Sequence, residues 1–248
     1  MKDIQQLENE IMNDPAAGRA FARAMNLGNL GVIAPHKAKY YDRYNIQWLE
    51  DCVDSGEKLE FVTFWKIDKG WENACFSQWY QGKPFVINGR EYYTAEQYMM
   101  SEKALMFKDY KIYDQIMRTK DPAECKRLGK QVDMDINDRK RWGRAAREVI
   151  WHGNLGKFQG DIELVDALLS TEQAVLVEAS SSDAIYGSGI AKEDLLNPDG
   201  SLKVHPRDWH TSDKPDIHAE NKLGFVLMGI RDLFRDLMKM DRDEKYNE

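Results

Sequence analysis

The chain has 248 residues, a formal net charge of −7 and a sequence pI near 5.4, which argues against a protein held on nucleic acid by bulk charge. A local basic pocket gripping one nucleotide stays open. Its 42% hydrophobic content, with 7 Trp and 11 Tyr, is ample for a core and excludes a disordered chain.

The length suits one large domain or two small ones. Three cysteines, Cys52, Cys75 and Cys125, are odd in number and widely spaced. They predict a reducing compartment, no disulfide framework and no CxxC-type metal spacing. The polar start Met1-Lys2-Asp3-Ile4 does not read as a signal peptide. No apolar run approaches the roughly 20 residues of a membrane span. A cytoplasmic protein with no membrane contact is the expectation.

Residues 2–27 read as one or two short amphipathic helices, interrupted at Asn13-Asp14-Pro15. Residues 28–59 are less regular, and no chemistry is legible in them. The stretch 1–59 is expected to be an accessory extension that packs on the core or covers the pocket. A core domain over 60–240 opens with the β-rich run Glu60–Trp65. In Ala74–Tyr80, Ser77 and Gln78 offer a hydroxyl and an amide suited to ribose or phosphate, and Trp79 offers a stacking face. Phe76 and Trp79 read equally as core aromatics.

Residues 84–107 carry the most information. Phe85, Val86 and Ile87 run into Asn88-Gly89, a pair that tolerates the positive φ angles of a type I′ turn. Tyr92 and Tyr93 lie on the return strand. Thr94 reads as a helix N-cap, and Gln97 completes a capping box. Glu96 and Lys103 lie seven residues apart, two helical turns, so they share a face with Cα atoms roughly 10 Å apart. Such a pair can flank a bound sugar. A glutamate in a first turn also serves the helix dipole whatever the function, and a helical lysine is often only a solvated residue.

Tyr110–Arg118 and Pro122–Lys130 read as helices, the second with Asp121 as cap and proline at its first position. Asp138 is expected to cap a basic helix over 139–152. Its Arg139, Lys140, Arg141, Arg144 and Arg147 are not confined to one stripe, which fits a solvated face, though guanidinium groups also suit phosphate. Asp161–Ser170 is a further helix, and Ala174–Ala179 a clear strand. The strand runs into a loop holding Asp183, which can contact sugar hydroxyls, activate water or merely cap a turn. Gly187 and Gly189 there allow close backbone approach to a ligand. Residues 191–217 read as a long polar loop with a turn at Asn197–Gly200. The residues between His205, His210 and His218 do not suit a metal site. Leu223, Val226, Leu227 and Ile230 mark a last amphipathic helix. This order predicts an α+β fold, a mainly helical single domain with one small antiparallel sheet from strands near 60–65, 84–93 and 174–178.

Glu96-Gln-Tyr-Met-Met-Ser-Glu-Lys103, following a Tyr-Tyr-Thr strand end, resembles the E-[HQ]-Y-x-x-x-x-K core of the NADAR (YbiA-like) family. Further blocks follow in the family's order. Phe76-Ser77-Gln78-Trp79 resembles F-S-N-[FW], with Gln78 where Asn is usual. Trp142 stands at the place of a family Trp, and Gly156-Lys157-Phe158 resembles an [AK]-K-F turn. Glu178, Asp183, Tyr186, Gly187 and Gly189 fit V-E-x-x-x-x-D-x-x-[WY]-G-x-G. Asn221–Arg231 resembles the N-x-L-G-x-x-L-M-x-[IV]-R helix. Together the blocks span about residues 60–235.

The resemblance implies cleavage of N-glycosidic bonds in ribose-containing compounds. The substrate types are early riboflavin-pathway intermediates or ADP-ribose on guanine bases, including guanine within nucleic acid. On that basis Glu96, Lys103 and Asp183 are the candidate catalytic residues. Phe76, Ser77, Gln78, Trp79, Tyr98, Trp142, Lys157, Tyr186, Gly187, Gly189 and Asn221 are candidate substrate contacts. No metal and no cofactor is expected. A module that binds NAD or ADP-ribose without hydrolysing it is the alternative reading.

Overall fold

A computed structural model describes residues 39–65 and 73–246. The helices expected over 2–27 lie outside these residues. Within the stretch expected to be irregular there is a helix, α1 (Ile46–Asp54), capped by Asn45, whose side chain accepts from the Trp48 N–H. α1 buries Leu49 and Cys52 against the body of the protein. Just before it, the Tyr40 and Tyr44 hydroxyls donate to Asp236 at 2.8 Å and to Asp232 at 2.6 Å. These contacts tie residues 39–54 to the C-terminal helix.

The strands depart from the single antiparallel sheet expected. β1 (Phe61–Phe64) pairs in parallel with β4 (Val175–Glu178), in the register Phe61↔Val175 to Phe64↔Glu178. β2 (Phe85–Ile87) and β3 (Arg90–Tyr92) form a separate antiparallel hairpin. The physical reason is the connection. Parallel neighbours need a long crossover, and the segment between β1 and β4 supplies one built of the hairpin and several helices. The hairpin turn is as read, with Asn88 at φ 51° and Gly89 at φ 74°.

Helix α2 (Ala95–Met106) is the central element. Nine of its twelve residues are buried, Glu96 and Lys103 among them. It packs against α3 (Tyr110–Arg118), α4 (Pro122–Gly129), α5 (Ile136–Gln159) and β3. A helix covered on nearly every side presents no amphipathic stripe. α5 is longer than expected. Asp135, not Asp138, caps it by accepting from the Asp138 N–H at 2.8 Å. Residues 156–158 are its last turns rather than a turn between helices.

α6 (Ile162–Ser170) forms where a helix is expected, with Asp161 as its N-cap rather than its first residue, and leads into β4. The loop over 191–217 is less open than its composition implies. It contains a short helix, α7 (Lys192–Leu195), and a 3₁₀ turn at Pro206–Asp208, and it buries Leu195 and Trp209. Its histidines are engaged locally, His205 with Asp54, His210 with the Thr211 carbonyl and His218 with the Pro206 carbonyl. Among the described residues no group of side chains could hold a metal ion. α8 (Lys222–Tyr246) lays its buried Leu223, Val226, Leu227 and Ile230 face on β4, α5 and α6. No helix among the described residues is long and apolar enough to cross a membrane.

Candidate active site

The start of α2 is held from both sides. The Thr94 Oγ1 accepts from the Gln97 N–H at 3.0 Å, and the Gln97 Oε1 accepts from the Tyr93 N–H at 2.8 Å. The Gln97 amide donates onward to the carbonyls of Ile116 and Thr119. The Glu96 N–H donates to the Gln78 carbonyl at 3.0 Å, which locks the 77–80 turn to the same helix end. Glu96 therefore leaves a rigid scaffold, 5% exposed. Burial pushes its carboxyl up to about 7, helped by Asp183. Lys126, Lys103 and a hydrogen bond from the Trp79 side chain oppose this without cancelling it.

Lys103 stands two turns further along, also buried. Its Nζ donates to the Gly129 carbonyl at 2.8 Å and lies 5.8 Å from the centre of the Trp142 ring. Burial lowers its pKa, and Arg139 adds to this by repulsion, while Glu96 raises it. The spacing of seven thus places the carboxyl and the amine in one electrostatic neighbourhood.

Around them the cluster closes with residues from distant parts of the chain. Asp183 has two tasks. Its Oδ1 accepts from the Ile185 and Tyr186 N–H groups at 3.0 and 2.9 Å, the turn-capping role, and its Oδ2 faces the Lys126 Nζ at 4.0 Å. Lys126, from α4, also lies 5.8 Å from the Trp79 ring centre. Tyr186 belongs to the same cluster, and burial, Asp183 and Glu96 push its hydroxyl pKa upward, opposed by the Trp142 side chain. Glu178 joins from the end of β4. Burial pushes its carboxyl up to about 8, reinforced by Asp183 and Glu96 and opposed by Lys126. The result is three carboxyls, two lysines and the rings of Trp79, Trp142 and Tyr186 in one place.

Other candidate contacts sit behind this cluster. Phe76 is fully enclosed between Phe64 and Phe158, so its ring faces the core. Tyr98 packs edge-on to Tyr92 in the cluster with Phe85. The Gln78 amide is turned inward, its Nε2 to the Met99 sulfur at 3.2 Å and its Oε1 accepting from Asn154. The Ser77 hydroxyl accepts from the Trp79 N–H at 3.2 Å and shapes its own turn. Lys157 donates to the carbonyls of Cys75 and Ser77, at 2.6 and 2.9 Å, and burial lowers its pKa to about 7. It fastens the turn that carries Trp79.

The glycine pair and Asn221 likewise serve the backbone. A Cβ on Gly187 would stand 2.6 Å from the Glu178 carbonyl. Gly189 has φ +71°, and a Cβ there would meet His210 at 2.5 Å. The close approach seen at these glycines is to the protein's own backbone. Asn221 is fully buried, donating to the Leu176 carbonyl at 2.9 Å and accepting from the Glu178 N–H at 3.1 Å. All three hold Glu178 and the 180–189 loop in place. A concavity of about 720 Å³ exists elsewhere, lined by Phe61, Thr63, Thr171, Lys192 and Lys203 among others, and none of Glu96, Glu178 or Asp183 lines it.

Lys126 and Glu178 are the members that the site reading from sequence passes over. Glu178 stands in a recognisable block, yet a strand-end glutamate looks solvated. Lys126 is indistinguishable by pattern from its neighbours Arg127 and Lys130, because only the packing of α4 on α2 decides which cation faces inward.

A carboxyl cluster with an embedded amine and an aromatic rim, carried on an α+β fold, suits the cleavage of a glycosidic bond. Residues 63–235 match the family model described as the NADAR domain. An N-glycosidase of Acanthamoeba polyphaga mimivirus is 32% identical over 162 residues, covering 65% of this chain and 84% of that protein. The N-glycosidase YbiA of Escherichia coli (strain K12) is 31% identical over 157 residues, covering 63% of this chain and 77% of YbiA. The NMR structure of E. coli YbiA superposes with a TM-score of 0.50 at 24% identity, over 72% of this chain and 88% of that one. The chain belongs to the NADAR family. It is a hydrolase of the N-glycosidase type.

Proposed function

We propose that the chain hydrolyses the N-glycosidic bond of ribose-phosphate or ADP-ribose conjugates, with ADP-ribosylated guanine bases and early riboflavin-pathway intermediates as the candidate substrates. The observation that carries this reading is Glu96, a solvent-shielded carboxyl that changes charge near pH 7 beside Lys103. Departure of a nitrogen base builds positive charge at the anomeric carbon, and fixed carboxylates stabilise that charge where bulk water is excluded. Trp79, Trp142 and Tyr186 offer flat faces for a base. Lys126, half-exposed beside Asp183, offers a cation toward a phosphate.

Glu96 serves as the acid/base group and Asp183 as the sugar orienter. The Lys103 amine captures the anomeric carbon as the base departs. Ring opening then gives a protonated imine, and water releases the sugar and restores the amine. A module that only binds NAD or ADP-ribose has no use for two carboxyls, Glu96 and Glu178, pushed up toward neutral pH. The test is product analysis after incubation with ADP-ribosylated guanosine and, separately, with a ribosylated aminopyrimidine phosphate. Release of free base together with ADP-ribose or ribose phosphate is expected from one of them. Binding of both without release of base from either would overturn the proposal in favour of a sensor.

A further inference from the structure

One carboxyl of the cluster has no task in this reaction. Glu178 closes β4, and its main chain is anchored on both sides. Its N–H donates to the Asn221 Oδ1 at 3.1 Å, and its carbonyl accepts from the Ser180 and Ser188 N–H groups at 2.9 Å each. Its side chain thus leaves the sheet from a fixed point. The Oε2 is shut off from solvent and has no hydrogen-bond partner among the described residues. The residue as a whole is part-exposed, so its carboxyl is within reach of a bound group, and the unpartnered oxygen shows that no described side chain ties it down. The charged groups that face it come from three elements, Glu96 on α2, Lys126 on α4 and Asp183 in the loop after β4.

We propose that Glu178 is a second catalytic group, the acid whose carboxyl protonates the leaving base nitrogen, so that Glu96 is left to receive the proton of the attacking group. This rests on the N-glycosidase reading and divides its proton handling between two residues. The C1–N bond breaks with its electron pair going to the base nitrogen, which takes the Glu178 proton. The Lys103 amine forms the new bond to C1 and gives a proton to Glu96. Release of the sugar from the imine consumes one water, and exchange with solvent returns a proton to Glu178 and removes one from Glu96. The net reaction adds one water and frees the base with one added hydrogen. The electrostatics agree with this division. Burial, Asp183 and Glu96 all push the Glu178 carboxyl upward, so it keeps its proton at neutral pH and is suited to be an acid.

The test pairs two leaving groups on one sugar. A ribose 5-phosphate bearing guanine needs its leaving nitrogen protonated, whereas 4-nitrophenyl riboside 5-phosphate expels a stable anion without help. Glu178→Gln is expected to lose about 10²- to 10⁴-fold on the guanine substrate and less than about 10-fold on the nitrophenyl probe. Glu96→Gln is expected to lose heavily on both. The alkaline fall of the wild-type kcat, where Glu178 gives up its proton, should be absent in Glu178→Gln. If that variant does not fold, Glu178→Asp keeps an acid of shorter reach and should show the same difference between substrates in smaller measure. Equal losses on the two leaving groups, or no loss on guanine, would overturn the assignment while leaving the N-glycosidase reading intact. A wild-type protein that frees base from no N-glycoside overturns both.

Discussion

Glu96→Gln is expected to fold normally, to retain ligand and to lose about 10²- to 10⁴-fold in turnover. The substitution is nearly isosteric and removes only the charge and the titrating proton, so the loss belongs to chemistry rather than packing. A second expectation separates this from damage. The carboxyl is raised from 4.5 to about 7 in the folded chain, so the folded state holds its proton more tightly than the unfolded state does. The stability that comes from the neutral form is fully present below pH 4.5 and is lost as the pH rises through 7. A shift of that size corresponds to at most about 3 kcal/mol. Glutamine cannot ionise, so Glu96→Gln should melt several degrees above the parent at pH 8, and the gain should shrink toward pH 5. Thermal unfolding at the two pH values, beside turnover, measures both effects. A variant with parental turnover would show Glu96 to be a helix-start residue and nothing more.

Lys103→Arg is expected to abolish turnover altogether, to a loss beyond about 10³-fold. Arginine keeps the positive charge, but it stays protonated and cannot attack carbon. Borohydride added to the parent during turnover should reduce the imine and leave the sugar joined to the protein, with mass analysis placing it on Lys103. The amine must lose its proton to react. Burial, first, and Arg139, second, lower its pKa, so formation of the adduct should rise with pH through that lowered value. Direct attack by water predicts no adduct at any reductant dose. An adduct on Lys157 would keep the route and move the residue, but both hydrogen bonds of that amine go to main-chain carbonyls in the 74–77 turn.

Much of the site was legible in the sequence because it is local. The Asn88-Gly89 turn, the Thr94 cap and the seven-residue spacing from Glu96 to Lys103 lie within one hairpin-helix unit, where short-range rules apply, and the structure keeps them all. What is not local was legible only where a family block carried it, as for Trp79, Trp142, Asp183 and Tyr186. β1 and β4 lie more than a hundred residues apart, and nothing in either strand says that they run in parallel. The same holds for the inward turn of Lys126, which depends on how α4 packs against α2. Phe76, Tyr98, Lys157 and Asn221 show a different limit. Family blocks locate the residues around a site without separating those that face it from those that hold it up. Asn221 ties the backbone of β4 with both ends of its amide, and sequence pattern alone could not distinguish that from contact with a ligand. The cap of α5 moved from Asp138 to Asp135 because both are acidic residues at the head of the same helix, and only backbone geometry chooses between them.

The account stands on two carboxyls, the buried Glu96 and the part-exposed Glu178, that hold their protons near neutral pH. The most direct measurement is a carbon-13 NMR titration of the protein labelled at its glutamate side-chain carboxyls, between pH 4 and 9, with Glu96→Gln and Glu178→Gln used to assign the signals. Two glutamate resonances should titrate far above the rest, one near 7 that vanishes in Glu96→Gln and one near 8 that vanishes in Glu178→Gln. A spectrum in which both of these glutamates titrate between about 4 and 5, like ordinary solvated carboxyls, would contradict the account.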